Sequence, residues 1–319
     1  MAISACSNTL DNTGKVKCAP ILAEDEQLIF VPTFAADGTV NKIANTAVFT
    51  QNAMQALIDQ ADATKRWYPV GTIEEVSDER AESSFWTAAS GRRYKAKKGT
   101  RTYRFELANA WGLDMKAFEK FECTEMSFFK VDANKGLVGM NKDTDDGYTY
   151  PIRIAKDSMD TIFMPPTPTT PPRIQVSFEI DSREKDSNLR MFEYDTNVMT
   201  ADPSAAEGLV NVSATYSSIT TTSFVVDLYA VHSGVNRKIA ITGLLITDFF
   251  DVRGGTHSKV YNVTDSSAVT ISSFAESATV PGRYTIGYTA QTSADVLRVT
   301  PVKTQLDFTA VVASTVLIP

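Results

Sequence analysis

The chain has 319 residues, 43% of them hydrophobic and 22% charged, with a net charge of -7. These values are those of an ordinary soluble globular protein of about two domains. No apolar run approaches the roughly 20 residues of a membrane-spanning helix, and the amino terminus lacks the basic and apolar regions of a secretory signal. Three cysteines (Cys6, Cys18, Cys123) with no CxxC spacing read as free thiols of a reducing compartment.

In chain order, TQNAMQALIDQADA at 50–63 opens on a threonine able to cap a helix, and Met54, Leu57, Ile58 and Ala61 then share one stripe. VGTIEEV from Val70 reads as a strand. TRTYRFEL from Thr100 alternates, with Tyr103, Phe105 and Leu107 facing one way and Thr102, Arg104 and Glu106 the other. Between these strands the sequence predicts a long charged loop at about 76–99. Its leading arm is acidic, EEVSDERAE. It then turns basic: Ser90 to Phe105 hold Arg92, Arg93, Lys95, Lys97, Lys98, Arg101 and Arg104, with no acid. A second helix is expected near 113–122, where Leu113, Ala117, Phe118 and Phe121 form a stripe. SFFKVDANKGLVGM reads as a hairpin turning at Asp132 to Gly136.

PPTPTTPP at 165–172 is barred from helix and central strand. IQVSFEID follows at once with Ile174, Val176, Phe178 and Ile180 in strict alternation, which makes it a half-buried strand returning to the first sheet and the prolines a loop. All tryptophans and cysteines precede residue 124, and residues 208–319 carry only seven basic and seven acidic groups. The boundary therefore falls near Gly208, giving an assembly domain at 1–207 and a second domain at 208–319. The latter shows short alternating runs (VNVSATY, SFVVDLYAVH, KIAITGLLITDFF, KVYNV, AVTISSF, GRYTIGYTA, VLRVT, LDFTAVV) separated by turn compositions, the pattern of an immunoglobulin-like β-sandwich. With no Cys or Trp in this part, Tyr284, Ile286 and Tyr288 are expected to supply its core.

Little in the sequence carries catalysis. His232 reads as a strand-end residue, and Asp251, His257 and Ser258 are too close together in one loop to form a triad. An enzymatic role is not expected, and no cofactor is, since neither GxxxxGK[ST] nor GxGxxG occurs. NKDTDDGYTYPI clusters Asp143, Asp145 and Asp146, but Asp146 stands where a calcium loop needs glycine and Ile152 where it needs glutamate. An acidic turn is the simpler reading, with a weak cation site left open. The basic stretch has three readings: a solvated loop, a nucleic-acid contact, or charge pairing between subunits. The acidic chain and the lack of a nucleic-acid motif disfavour the second. The acidic arm beside the basic one favours the third, because one molecule then presents both signs and stacks head to tail on its copies. Arg92, Arg93, Lys95, Lys97, Lys98 and Arg101 are expected to meet Glu74, Glu75, Asp78, Glu79 and Glu82 of a neighbour.

This arrangement resembles the tail tube (major tail) proteins of tailed bacteriophages. The features that carry it are the strands VGTIEEV and TRTYRFEL flanking a long charged loop, the helix LDMKAFEKFEC after them, the hairpin SFFKVDANKGLVGM with PIRIAKDSMDTIF and RIQVSFEID behind it, and the Thr/Ser/Val-rich carboxyl-terminal domain. The resemblance covers roughly residues 40–319 as an architecture; residues 1–40 have no counterpart in it. It implies a mostly β fold with some helix (α+β): a tail-tube-like β-sandwich with a packed helix, plus a carboxyl-terminal immunoglobulin-like β-sandwich. It also implies hexameric rings of this one chain, stacked into a hollow tube that conducts DNA, with loops reaching between rings. Such a protein is made in the host bacterial cytoplasm, resides in the virion tail and partners itself and other virion proteins. It has no membrane partner and no sequence-specific nucleic-acid binding. A head-decoration or connector protein, or a surface-binding module using the second domain, would show a similar composition.

Overall fold

A computed structural model describes residues 22–45, 47–110, 112–144, 146–196, 198–232, 237–249, 260–301, 303, 306–308, 310–311 and 314–319. The fold is mostly β. Its first part runs β1 (Asp25–Pro32), β2 (Ile43–Ala44), α1 (Gln51–Ile58), β3 (Tyr68–Val70), β4 (Glu74–Arg80), β5 (Ser84–Thr87), β6 (Arg93–Lys97), β7 (Arg101–Ala108) and α2 (Gly112–Glu122). There follow β8 (Met126–Asp132), β9 (Leu137–Met140), β10 (Tyr148–Thr149), β11 (Ile152–Arg153), β12 (Asp160–Met164), β13 (Arg173–Ile180) and β14 (Leu189–Phe192). One sheet has the order β14-β9-β8-β1-β3, with β11 also on β8, and a second has the order β12-β13-β7-β4.

The two sheets face each other across an aromatic core. Leu28 and Phe30 of β1 and Phe128 of β8 meet Tyr103 and Phe105 of β7 and Val176 and Phe178 of β13, all buried. Helix α2 sets Phe118 against Phe30 and Phe105, at centroid distances of 5.9 and 6.2 Å. The first sheet is buried on its other face too, where Ile29, Val31, Phe129 and Val131 pack on Met54 and Ile58 of α1 and on Trp67. Strand β1 consequently reads LIFV, a continuous apolar run. No alternation marks this strand in the sequence, because it is covered on both faces.

Helix α1 begins as expected, with Thr50 Oγ1 accepting from Ala53 N at 3.3 Å, but it ends at Ile58 and not at Ala63. Asp59 caps its end, its amide donating to Gln55 O, and Asp62 holds the turn that follows by accepting from the Thr64 amide and hydroxyl. Helix α2 buries Phe118, while the side chain of Leu113 lies outside the described residues. The expected hairpin forms, and the buried Asp132 carboxylate holds its turn through the amides of Asn134 (3.1 Å) and Gly136 (2.6 Å). PPTPTTPP joins β12 to β13, whose register Met164↔Arg173 makes the prolines a hairpin loop, and β13 pairs along its whole length with β7.

Two expectations for the charged segment are corrected. VGTIEEV is not one strand: Val70 ends β3 in the first sheet, and β4 starts at Glu74 in the second. The chain crosses between sheets at 71–73, where Ile73 is buried in the intervening core. The long charged loop at 76–99 is not a loop either. Its acidic arm is the body of β4, antiparallel to β7, and its basic arm belongs to a separate hairpin, β5–β6. Alternation along EEVSDER is masked by charge: Val76 packs half-buried against the core, while Glu74, Glu75, Asp78, Glu79 and Arg80 are exposed.

The second part contains β15 (Val210–Ser217), β16 (Ser223–His232), β17 (Arg237–Ala240), β18 (Val260–Asn262), β19 (Ser267–Ala268), β20 (Ile271–Glu276), β21 (Arg283–Tyr288), β22 (Val296–Val299), β23 (Leu306–Asp307) and β24 (Thr315–Leu317). Sheets of order β20-β21-β16-β15-β23 and β19-β18-β22-β24 close on a core that includes Phe224, Tyr284, Ile286, Tyr288, Leu297 and Val316. The run KIAITGLLITDFF, expected as one strand, leaves the sheet after Ala240, and Ile246–Phe249 forms a 3-10 turn. This core draws only on residues 212–318, whereas the cores of the first part draw on residues 28–206 with Leu209 packed against them. Arg66 and Asp307 form an ion pair between the parts at 2.8 Å.

Phe178 is 1% exposed, stacks on Tyr103 (5.5 Å) and meets Phe128 edge-on (5.0 Å) at the centre of the first sandwich. Phe178→Ala is expected to cost about 3–5 kcal/mol in denaturant unfolding. A loss within about 0.5 kcal/mol, the range of surface substitutions, would remove the ring from the core.

Candidate functional site

Strands β5 and β6 form a two-stranded arm that belongs to no larger sheet, and all nine of its strand residues are exposed. Its root is a close crossing. Ala81 N donates to Thr100 O at 2.8 Å, and a Cβ on Gly99 would sit 1.6 Å from Ala81 O, so only glycine fits there. The tip turns through Gly91 at φ +80°.

The register gives the arm two chemically distinct faces. Trp86 lies opposite Tyr94 and stacks on it at 5.8 Å. The other face pairs Phe85 with Lys95 and Thr87 with Arg93, and the Arg93 guanidinium lies 4.7 Å above the Phe85 ring. Trp86 is 60% exposed, Phe85 51% and Tyr94 49%. A two-stranded hairpin alone is marginal in water, and exposed aromatics on such a ribbon mark a contact surface.

The structure divides the sequence-predicted residues into two sets. Among the described residues Arg92, Arg93, Lys95 and Lys97 make no ion pair, and neither do Glu74, Glu75, Glu79 and Glu82. The remaining three, Lys98, Arg101 and Asp78, are engaged within their own chain. Lys98 and Arg101 bind Asp186 (3.1 and 3.0 Å), as does Arg80 at 2.7 Å, so one carboxylate gathers three cations flanking the arm. Asp78 receives both Arg101 Nε and Nη2 at 2.5 Å and Lys130 Nζ at 2.8 Å. Lys130, 5% exposed, also donates to Asp25 at 2.7 Å, and Tyr103 donates its hydroxyl to the same Asp25 oxygen at 2.8 Å. Burial pushes the Asp78 carboxyl up, but the Arg101 hydrogen bonds and the Lys130 charge outweigh it and hold the group below its ordinary value. Burial, then the Asp25 charge, drive the Tyr103 hydroxyl far above the usual tyrosine range.

Sequence reasoning missed Lys130, Asp25 and Asp186, whose partners lie 52 to 106 residues away. It also passed over Phe85 and Trp86, although an aromatic pair between two charge runs was the available signal. Glu106, on the face of β7 opposite Phe105 as expected, is buried there and pairs with Arg173 (2.9 Å) and Arg104 (3.3 Å). Beside them Glu75, Ser77 and Glu79 of β4 line an open groove of about 670 Å³ on the outer face of the second sheet.

The clustered aspartates of the acidic turn go separate ways. Asp143 meets Lys185 (2.5 Å) and Asn188, while Asp146 meets Lys142 (2.8 Å) and the Tyr150 hydroxyl (2.7 Å). Asp145, Asp251, His257, Ser258 and the side chain of His232 lie outside the described residues. No protein-family model matches the chain, and neither does any curated protein or solved structure.

The Asp78 shift carries a pH dependence. A carboxyl held low in the folded state contributes stability above its unfolded value of about 3.9 and loses it as pH falls through the folded value. Acid unfolding is therefore expected to steepen below about pH 4. Asp78→Asn is expected to lower stability at neutral pH and to flatten that acid limb. A limb of unchanged slope in the variant would mean that Asp78 is not its source.

Proposed function

We propose that this chain is a structural virion protein that self-assembles into stacked rings, the tube through which a tailed phage passes its DNA. The observation that carries the reading is the arm: a ribbon with no core of its own, exposed aromatics and four cations without ion pairs, projecting from an acidic body. Its complement lies elsewhere on the same molecule, in the exposed acids of β4. A contact between two different patches of one chain is heterologous, and it propagates into rings or filaments without a second component. The second sheet adds open edges at β4 and β12 and a polar outer face.

On this reading Arg92, Arg93, Lys95 and Lys97 face Glu74, Glu75, Glu79 and Glu82 of a neighbour. Single exposed pairs contribute only about 0–1 kcal/mol, but pairs repeated around a ring orient each incoming copy and reject the reversed one. The arm lies between subunits and away from the bore, because a cationic lumen would grip phosphates and stall the DNA. The first sandwich with α2 is the tail-tube-like assembly unit. The second, read as immunoglobulin-like, decorates the outside. No catalytic role, cofactor or membrane contact enters this function.

Electron microscopy of the purified protein is expected to show rings or tubes, and Lys95→Glu/Lys97→Glu is expected to abolish them. Dispersed single chains at every concentration would sink the reading. Truncation after residue 207 is expected to leave a soluble chain that still assembles, with Arg66 losing its partner Asp307 as a modest cost. If the truncated chain loses all self-association, the second part is integral to the assembly.

A further inference from the structure

The arm and β4 share a feature that side-chain charge alone does not use: each has an unpaired strand edge. Among the described residues β4 ends its sheet, bordered by β7 alone, and β6 is bordered by β5 alone. Open edges are templates for another strand, and proteins blunt them with charge and bulges. Strand β4 has both devices: Glu74, Glu75 and Glu79 are exposed, and a bulge falls between Glu74 and Ser77 with Glu75 at φ +49°. A neutral or acidic strand is thereby turned away. Strand β6, RYKAK, carries the opposite charge at the spacing of a strand face.

We infer that β6 of one copy adds to the open edge of β4 in a second copy, joining the arm to the neighbour's four-stranded sheet by backbone hydrogen bonds. The pleat aligns the charges. Ser77 and Glu79 lie opposite Arg104 and Thr102, which places them on the outer face of their sheet beside Glu75. Arg93 and Lys95 share one face of the arm, as the position of Arg93 over Phe85 shows. With that face turned to the groove, successive cations at i and i+2 fall beside successive acids at the same spacing, and opposite charges side by side stabilise adjacent strands. The opposite face, Trp86 with Tyr94, then turns to the core side of the neighbour's edge and leaves water. Strand addition of this kind draws affinity from the main chain and specificity from alternate side chains. The occupant is a second copy of this chain because the edge and its charge-matched strand are both its own, and the arm root is held on its own body by Asp186.

The inference rests on the self-assembly reading and is tested apart from it. Glu75→Lys/Glu79→Lys and Arg93→Glu/Lys95→Glu alter exposed residues, and each variant should keep the wild-type unfolding midpoint. Each alone is expected to raise the concentration needed for assembly by about tenfold or more, about 1.4 kcal/mol per tenfold. An equimolar mixture is expected to assemble again, since each variant's arm then matches the other's edge and the copies alternate. Hydrogen exchange on assembled wild-type protein is expected to show new protection of amides within 75–79 and 93–97. Wild-type assembly without that protection would reduce the contact to side-chain charge and overturn strand addition while leaving assembly intact. A mixture that stays dispersed would overturn the pairing of these two elements. DNA retained by the wild-type arm and lost in Arg93→Glu/Lys95→Glu, with assembly unchanged, would assign the cations to phosphate. Wild-type protein that never assembles would overturn both readings.

Discussion

Lys130 enters the first sandwich from β8 and reaches across it to Asp78 on β4, while Asp25 of β1 accepts from both Lys130 and Tyr103. Two sheets that also meet through backbone hydrogen bonds beside β11 and β13 (Ala155 N to Glu179 O, Asp181 N to Arg153 O) are thus tied by ionic hydrogen bonds across their core. Buried charge of this kind is retained at a desolvation cost of several kcal/mol per ion and breaks badly when one partner is removed. Its return is geometric. Apolar packing allows two sheets to slide, but the 2.7 and 2.8 Å bonds of one ammonium to two carboxylates do not. Because Asp78 also receives Arg101, the first residue of β7, the same cluster positions the strand that follows the arm.

The rest of the first part is built around that fixed spacing. Phe30 touches Phe105, Phe118, Phe121, Phe128 and Phe178, with centroids 5.5 to 6.4 Å apart, in tilted and edge-on geometries that suit the ring quadrupole. Strand β1 supplies that ring and, on its reverse face, Ile29 and Val31 to the second core under α1. One strand therefore organises both cores.

The arm stands outside this economy of burial. Among the described residues nothing covers Trp86 and Tyr94 beyond their own stacking, whereas the root of the arm is secured by Asp186 and the Ala81–Thr100 hydrogen bond. A fixed root with an uncovered ribbon is a device for presenting a surface at a set angle. Exposed apolar area opposes solubility, and the cations beside it keep the ribbon hydrated.

Much of the fold was legible along the chain, wherever one face of an element is buried and the other wet. The alternation of TYRFEL and IQVSFEI placed β7 and β13, Thr50 marked the start of α1, and Tyr284, Ile286 and Tyr288 marked a core strand. Local periodicity records such one-sided burial directly. It was silent on β1, whose two buried faces erase the alternation, and it misled at EEVSDER, where a strand edge is disguised by charge. For the candidate site, the order of residues along the chain is enough to concentrate basic groups in one short stretch beside an acidic one. Which of those charges are already paired is set by folding. Asp186 lies 106 residues from Arg80, and Lys130 lies 52 from Asp78; composition cannot reveal a partner brought near only by the packing of two sheets.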